Sequence, residues 1–411
     1  MHGQLPIVWK KAQGHQVFDI AGNKFLDMTS TIFVANVGHS NRRVLRAMSS
    51  TLGEKLVSTY AYANEKKIDY LEALLDFAGD GFGKAFLLSS GTEASEAVLK
   101  LMRLDAQAKG RGKGVVTFEG NWHGRTMGAQ MLSSNPEQKS WIGLSDPGIH
   151  HLPFPLPWKV SEKDGADFFS RGITAMESHG VDPRRDLAGF YLETFQGWGA
   201  LFYPVSFVKA AEAYCREYGL LLAFDEMQAG FGRTGKAFGF MHYGVLPDLI
   251  AVGKGMGNGV PLSGVIGRAD ILDLPSVGNM SSTHSGNPLV CAAGKAVLEE
   301  ISRLNLVSEA ERKGKILHEE LELLRDELPE VSFVAGRGLI AAILISQDCN
   351  PTPSLFASAV AERCMQLGLL VVHTGRESIK LGPPLTIPVD AIKEATQTIR
   401  EAIIDVRSKR W

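Results

Sequence analysis

Three short stretches place reactive side chains where the chain passes from apolar to small residues. Lys254 follows the apolar run Leu249-Ile250-Ala251-Val252 and stands among Gly253, Gly255, Gly257 and Gly259. Glycines leave space beside an amine and admit unusual backbone angles. A desolvated, nucleophilic lysine is one reading, and a solvated loop lysine is the other. Asp225 follows Leu220-Leu221-Leu222-Ala223-Phe224. A carboxylate delivered to the end of a buried strand can keep a nitrogen opposite it protonated, because opposite charge favours both ionised forms. Gln228, three residues on, offers a further polar contact, although an aspartate here could equally cap a loop. Ser90-Gly91-Thr92 follows the run Ala85-Phe86-Leu87-Leu88 and precedes a helical pattern. Free N–H groups and the positive end of the dipole suit a helix N-terminus to phosphate, while an ordinary N-cap has the same composition.

The elements around these residues point to one architecture. Compact apolar runs at 85–88, 114–118, 189–192, 220–224 and 249–252 alternate with helical patterns such as 93–108 and 207–218, which Gly110 and Gly219 stop. Such alternation predicts an α/β fold with a mainly parallel sheet covered by helices. Ligands of such a sheet bind at the carboxyl ends of its strands, where all three stretches fall. Val17–Ile20 and Lys24–Asp27 flank the turn Ala21-Gly22-Asn23 and read as a hairpin. The proline-rich stretch from His151 to Trp158 reads as a surface crossing. A long helix is expected over 288–303. Beyond it, strands near 331–345 and 369–381 and helices over 354–367 and 389–407 suggest a smaller α+β domain built with the N-terminal segment. The expected division is 1–43 with that smaller domain, 44–302 as the large domain and 303–411 as the rest of the smaller one.

Composition excludes several classes. The 411 residues exceed what one growing core accommodates. Hydrophobic residues make up 45%, charged residues 21%, and the formal net charge is −2, with no long run of one sign. Neither nucleic acid nor membrane is expected as a partner. Cys215, Cys291, Cys349 and Cys364 form no ligand-type cluster, so no metal or disulfide frame is expected. No stretch has spanning length, and Met1–Pro6 lacks a signal-type pattern, so the cytoplasm is the expected location. Gly230–Lys236 fits GxxxxGK, but Ala237 stands where a nucleotide loop needs Ser or Thr. His150-His151 has no partner set and reads as loop polarity.

Taken together, the blocks resemble the class III (omega) aminotransferases, a fold-type I group dependent on pyridoxal 5′-phosphate. The resemblance runs through Gly38-His39, Ser90-Gly91-Thr92-Glu93-Ala94, Trp122-His123-Gly124-Arg125-Thr126, Asp225-Glu226 with Gln228, Gly253-Lys254-Gly255 and Ser282-Thr283 with Gly286-Asn287-Pro288. It implies that Lys254 carries the cofactor as a Schiff base and shuttles protons, and that Asp225 pairs with the ring nitrogen. It implies that Gln228 contacts the ring oxygen, Trp122 covers one face beside His123, and Met227 packs on the other. Ser90, Gly91 and Thr92 would form the phosphate turn, joined by Thr283 of a partner chain, with Glu193 supporting the site. A homodimer with shared sites follows, moving an amino group from a small amine or ω-amino acid to a keto acid by a ping-pong route.

Two positions depart from the family's pattern. Trp198 replaces a glutamate, and Lys380 stands where an arginine binds carboxylate. Lysine attracts a carboxylate but cannot make the planar two-bond pair. These changes argue against a standard glutamate–arginine switch and put the 2-oxoglutarate half-reaction in question. The expectation is a broader aromatic pocket lined by Trp198, Ile32 and Phe33, with Lys380 nearby. A decarboxylase or aminomutase of the same fold would share Lys254, Asp225 and Gln228.

Overall fold

The computed structural model describes residues 7–408. Its centre is a seven-stranded sheet in the order Lys84–Leu88, Ser263–Gly267, Leu249–Val252, Leu221–Asp225, Leu187–Glu193, Gly114–Phe118 and Ile149–Leu152. The last five pair in parallel, and Ser263–Gly267 runs antiparallel to both of its neighbours. Every residue of Leu187–Glu193 and Leu221–Asp225 is buried. That is why these strands are near-continuous apolar runs rather than alternating ones: helices cover both faces. The register sets Asp225 opposite Glu193 on one side and Ala251 on the other. Two carboxylates therefore end adjacent strands, with Lys254 just beyond the end of the third.

The helix Gly91–Ala108 begins with a capping box. Ser90 Oγ accepts the Glu93 N–H at 3.4 Å, and the Glu93 carboxylate accepts the Ser90 N–H at 2.7 Å. The helix Val205–Tyr218 stops at Gly219, whose φ is +64°. A four-stranded sheet joins the two ends of the chain: Trp9–Gln13, Gln16–Asp19 and Lys24–Asp27, with Leu369–Leu370 parallel to the last. A second contains Val331–Arg337, Ile340–Ile345, Ser378–Leu381 and Val372–His373. The hairpin expected at 17–27 forms, with Asp19 accepting the Asn23 N–H at 2.8 Å. Among the described residues, no helix is long and apolar enough to cross a membrane.

The expectation for residues 151–158 needs correcting. His150 and His151 belong to the edge strand Ile149–Leu152 and are not loop polarity. Only Pro153 onward is irregular, and Leu152 and Phe154 are buried in the core, so the segment is not simply a surface crossing. The prolines end the strand but do not prevent it, because an edge strand needs partners on one side only. The sequence reading also passed over the strand Ser263–Gly267 and the helix Leu306–Glu327.

Arg233 ties the loop after Asp225 to both chain ends. Its buried guanidinium donates to Asn36 Oδ1 at 2.7 Å, to the Leu339 carbonyl at 3.0 Å and to the Pro383 carbonyl. Burial pushes its pKa down to about 9.

Two outcomes follow from these contacts. Arg233→Ala strands three buried acceptors, each costing about 1–3 kcal/mol, so the urea midpoint should fall by the equivalent of about 3 kcal/mol or more. His151 is held to about 4 chiefly by burial, with its Nε2–H donated to the Leu132 carbonyl at 3.0 Å. Below about 6.5 the unfolded chain binds a proton that the folded ring refuses until about 4. Stability should therefore fall as pH drops through that window, and His151→Gln, which keeps an N–H donor, should flatten part of the slope in urea titrations at pH 4.5 to 7.5.

Candidate active site

A cavity of about 410 Å³ opens at the carboxyl ends of the central strands. Gly91, Thr92, Trp122, His123, Glu193 and Asp225 line it, together with Met227, Gln228 and Lys254. Nine of the residues singled out from sequence thus meet in one space, although they come from five separate stretches of chain.

Lys254 starts a short turn, Lys254–Met256, with φ at +44°. A non-glycine residue there is uncommon, and the turn aims its side chain into the cavity instead of along the strand. A Cβ on the preceding Gly253 would lie 2.7 Å from Met227 Sδ, so the backbone can pass Met227 only without a side chain. Burial lowers the Lys254 pKa below the usual lysine value, while Asp225 and Glu193 oppose that shift.

Asp225 is held from two sides. It accepts His123 Nδ1–H at 2.9 Å and the Met227 N–H at 3.0 Å. His123 is stacked on Tyr191, with ring centroids 4.2 Å apart, and its Nε2 lies 3.3 Å from Thr117 Oγ1. Asn121 Nδ2 donates to that same hydroxyl and, at 3.2 Å, to the Leu132 carbonyl. A carboxylate only accepts, so the ring presents Nδ1–H to Asp225 and its Nε2 faces the Thr117 hydroxyl. The motif containing His123 was legible in sequence, but its pairing with Asp225 was not.

Glu193 accepts the Trp122 N–H at 3.0 Å and the Gly197 N–H at 3.2 Å. Burial raises its pKa, with Asp225 adding to the effect. It therefore ties two walls of the cavity together. At the helix end, Ser90 Oγ is occupied in the capping box and does not line the cavity. The N–H groups of Gly91 and Thr92 have no preceding turn to donate to, and both residues face the cavity. Thr92 Oγ1 is 2.6 Å from Thr126 Oγ1, which donates to Glu96 at 2.6 Å.

The remaining candidates lie elsewhere. Trp198, Ile32, Phe33 and Lys380 are absent from the cavity wall. Trp198 donates its indole N–H to Gln196 Oε1 at 2.8 Å and carries the Arg376 guanidinium 3.6 Å above its ring. Phe33 is buried and Ile32 is exposed. Lys380 is buried behind Gln228, whose Oε1 accepts from its Nζ at 2.9 Å. Thr283 is exposed on a loop away from this cavity. Arg125, to which the sequence pattern assigns no role, does line the cavity. Its guanidinium lies 4.6 Å from the Trp122 ring centroid, and it has no acidic partner among the described residues.

A family model described as aminotransferase class III matches residues 1–403. An acetylornithine aminotransferase of Bacillus subtilis is 34% identical over 98% of this chain and 96% of its own length. A leucine/methionine racemase of Thermococcus litoralis is 30% identical over 98% of this chain and 92% of its own. Among solved structures, the ornithine aminotransferase of Toxoplasma gondii superposes with a TM-score of 0.87 at 27% identity, covering 100% of this chain and 93% of that one.

Proposed function

This chain belongs to the class III aminotransferase family, and we propose that it binds pyridoxal 5′-phosphate in the Lys254 cavity and transfers the amino group of an ω-amino acid or amine to a keto acid. The observation that carries this reading is the placement of a desolvated lysine, a hydrogen-bonded carboxylate and a helix N-terminus in one cavity of about 410 Å³. The residues suit the cofactor's three polar features. Gly91 and Thr92 offer unspent N–H groups to a phosphate. Asp225, oriented by His123 and the Met227 N–H, suits a protonated ring nitrogen. Lys254 suits the aldehyde.

When bound, the cofactor supplies a carbonyl that captures amines and a ring that accepts electrons from the substrate carbon. The chain's own residues do the rest. Lys254, with its pKa lowered by burial, is the nucleophile and then carries the proton to and from the substrate carbon. Trp122 and Met227 both line the space that the ring would occupy. Arg125 is at the cavity with no acidic partner among the described residues, and it is the group that docks a substrate carboxylate.

The substrates are small molecules. The assembly we propose is a homodimer in which Thr283 reaches the partner's phosphate site. Support comes from Thr283's exposure and from exposed apolar side chains nearby in the chain and across its groove, notably Val277 and Tyr60.

Two measurements test this. Purified protein should carry the cofactor's visible absorbance and convert an ω-amino acid plus a keto acid into the matching carbonyl and amino acid. Lys254→Ala should abolish the lysine-linked absorbance and lower turnover by at least about 10²–10⁴-fold, the usual worth of a positioned acid–base group. Inversion of an amino acid's configuration with no consumption of keto acid would instead identify a racemase. Second, the protein should elute with the mass of two chains, and Val277→Asp should weaken both the dimer and cofactor retention. A wild-type monomer with full activity would defeat the shared-site assembly.

A further inference from the structure

Lys380 lies on the strand Ser378–Leu381, which pairs with Ile340–Ile345 and Val372–His373. Its side chain is buried and its amine is committed. Nζ donates to the Gly197 carbonyl and, at 2.9 Å, to Gln228 Oε1, and it lies 4.7 Å from the centre of the Phe33 ring. An ammonium has three N–H groups. Two are used by these oxygens, and the third faces the Phe33 ring, a cation–π contact. The neutral amine has only the two N–H groups already spent. In neither form does a donor remain for a substrate carboxylate.

The consequence falls on Gln228, which lines the cavity. Its Oε1 is taken by Lys380, so its Nε2 is the end left without a partner among the described residues. Against the ammonium, which has no acceptor, the opposite orientation of the amide would set Nε2–H groups against Lys380 N–H groups, donor against donor. Gly197 completes the arrangement. A Cβ there would run into Gln228 Nε2 and stand 3.0 Å from Glu193 Oε1, so the amide is pressed against bare backbone and has little room to turn.

We propose that Lys380 is a positioning residue that fixes the Gln228 amide with its N–H groups free for the cavity, and that this commitment sets specificity: Arg125 is left as the carboxylate-docking cation, so keto acids with one carboxylate are preferred over dicarboxylates. The proposal rests on the cofactor reading given above. It assigns Lys380 to the support of the site instead of to contact with substrate.

The test uses the holoenzyme with one amino donor and two acceptors, pyruvate and 2-oxoglutarate. Steady-state kcat and KM are read with each, together with the pH midpoint of the bound cofactor's absorbance. Wild type should favour pyruvate in kcat/KM by about tenfold or more, the worth of one charge-assisted hydrogen bond. Lys380→Met should shift the absorbance midpoint and lower kcat by a similar factor with both acceptors, leaving each KM within about twofold. Lys380→Arg keeps both bonds and adds spare N–H groups, so it should raise the relative use of 2-oxoglutarate about tenfold without moving the midpoint. The proposal fails if wild type prefers 2-oxoglutarate. It fails equally if Lys380→Met raises KM at least about tenfold for 2-oxoglutarate alone with the absorbance unchanged, the signature of a carboxylate receptor. A wild-type protein that carries no cofactor absorbance would defeat the reading beneath it, which is a distinguishable failure.

Discussion

The site depends on keeping an amine and two carboxylates together at the ends of three buried strands. Removing such groups from water costs several kcal/mol per ion unless mutual attraction and hydrogen bonds offset it. Sheet register supplies the attraction of both carboxylates for the amine, because Asp225 and Glu193 end adjacent strands and the next strand leads into Lys254. Backbone and side-chain donors supply the hydrogen bonds. Asp225 receives one from His123 and one from Met227, and Glu193 receives one from Trp122 and one from Gly197. Neither carboxylate therefore depends on a mobile surface group for its partners.

The same bonds explain why loops from separate strands behave as one wall. Glu193 joins the Trp122 loop to the Gly197 loop. Ser263 Oγ donates to the Ser90 carbonyl at 2.7 Å, linking the antiparallel strand to the start of the helix at Gly91. Glu226, directly after Asp225, accepts the Gly239 and Phe240 N–H groups at 2.8 and 2.7 Å and thereby anchors the loop beyond it. Groups fixed in this way need no reorganisation when charge shifts within the cavity, which is where positioned dipoles contribute most. Met227 and Gln228 sit between these anchors, so the cavity floor inherits their rigidity.

What the sequence made legible was local. Each reactive residue follows an apolar run and precedes small residues, so the strand-end positions of Asp225, Lys254 and the Gly91 helix start could be read without a structure. The hairpin at 17–27 carried its own turn chemistry. What stayed hidden depends on register between distant segments. His123 meets Asp225 only because Tyr191, on the intervening strand, stacks against its ring, and no spacing in the chain encodes that. Lys380 meets Gln228 and Gly197 across 152 and 183 positions. The strand at Ser263–Gly267 was not assigned from sequence, and its glycines at 264 and 267 leave it little strand pattern. Gly264 is there for packing, since a Cβ would sit 2.6 Å from the Phe86 carbonyl. At Ile149–Leu152, the prolines that follow masked a strand that ends just before them.

The turn Ser30–Phe33 shows how far tertiary contacts override local preference. All four residues have positive φ, between +48° and +67°. Left-handed backbone costs roughly 1–2 kcal/mol per residue without glycine, and β-branched Thr31 and Ile32 are poorly suited to it. The turn is held at both ends. Asp27 accepts the Thr29 N–H at 2.8 Å and its hydroxyl at 2.6 Å, and Ser30 Oγ donates to the Gly382 carbonyl at 2.7 Å. Phe33 is fully buried, worth about 1.5–3 kcal/mol, and its ring centre lies 5.9 Å from the guanidinium of Arg233 and 4.7 Å from the amine of Lys380. Phe33 therefore cannot relax to ordinary backbone without leaving the ring face that receives Lys380. The strain of the N-terminal turn and the orientation of Gln228 are linked through that one side chain, which connects a segment outside the cavity to the chemistry inside it.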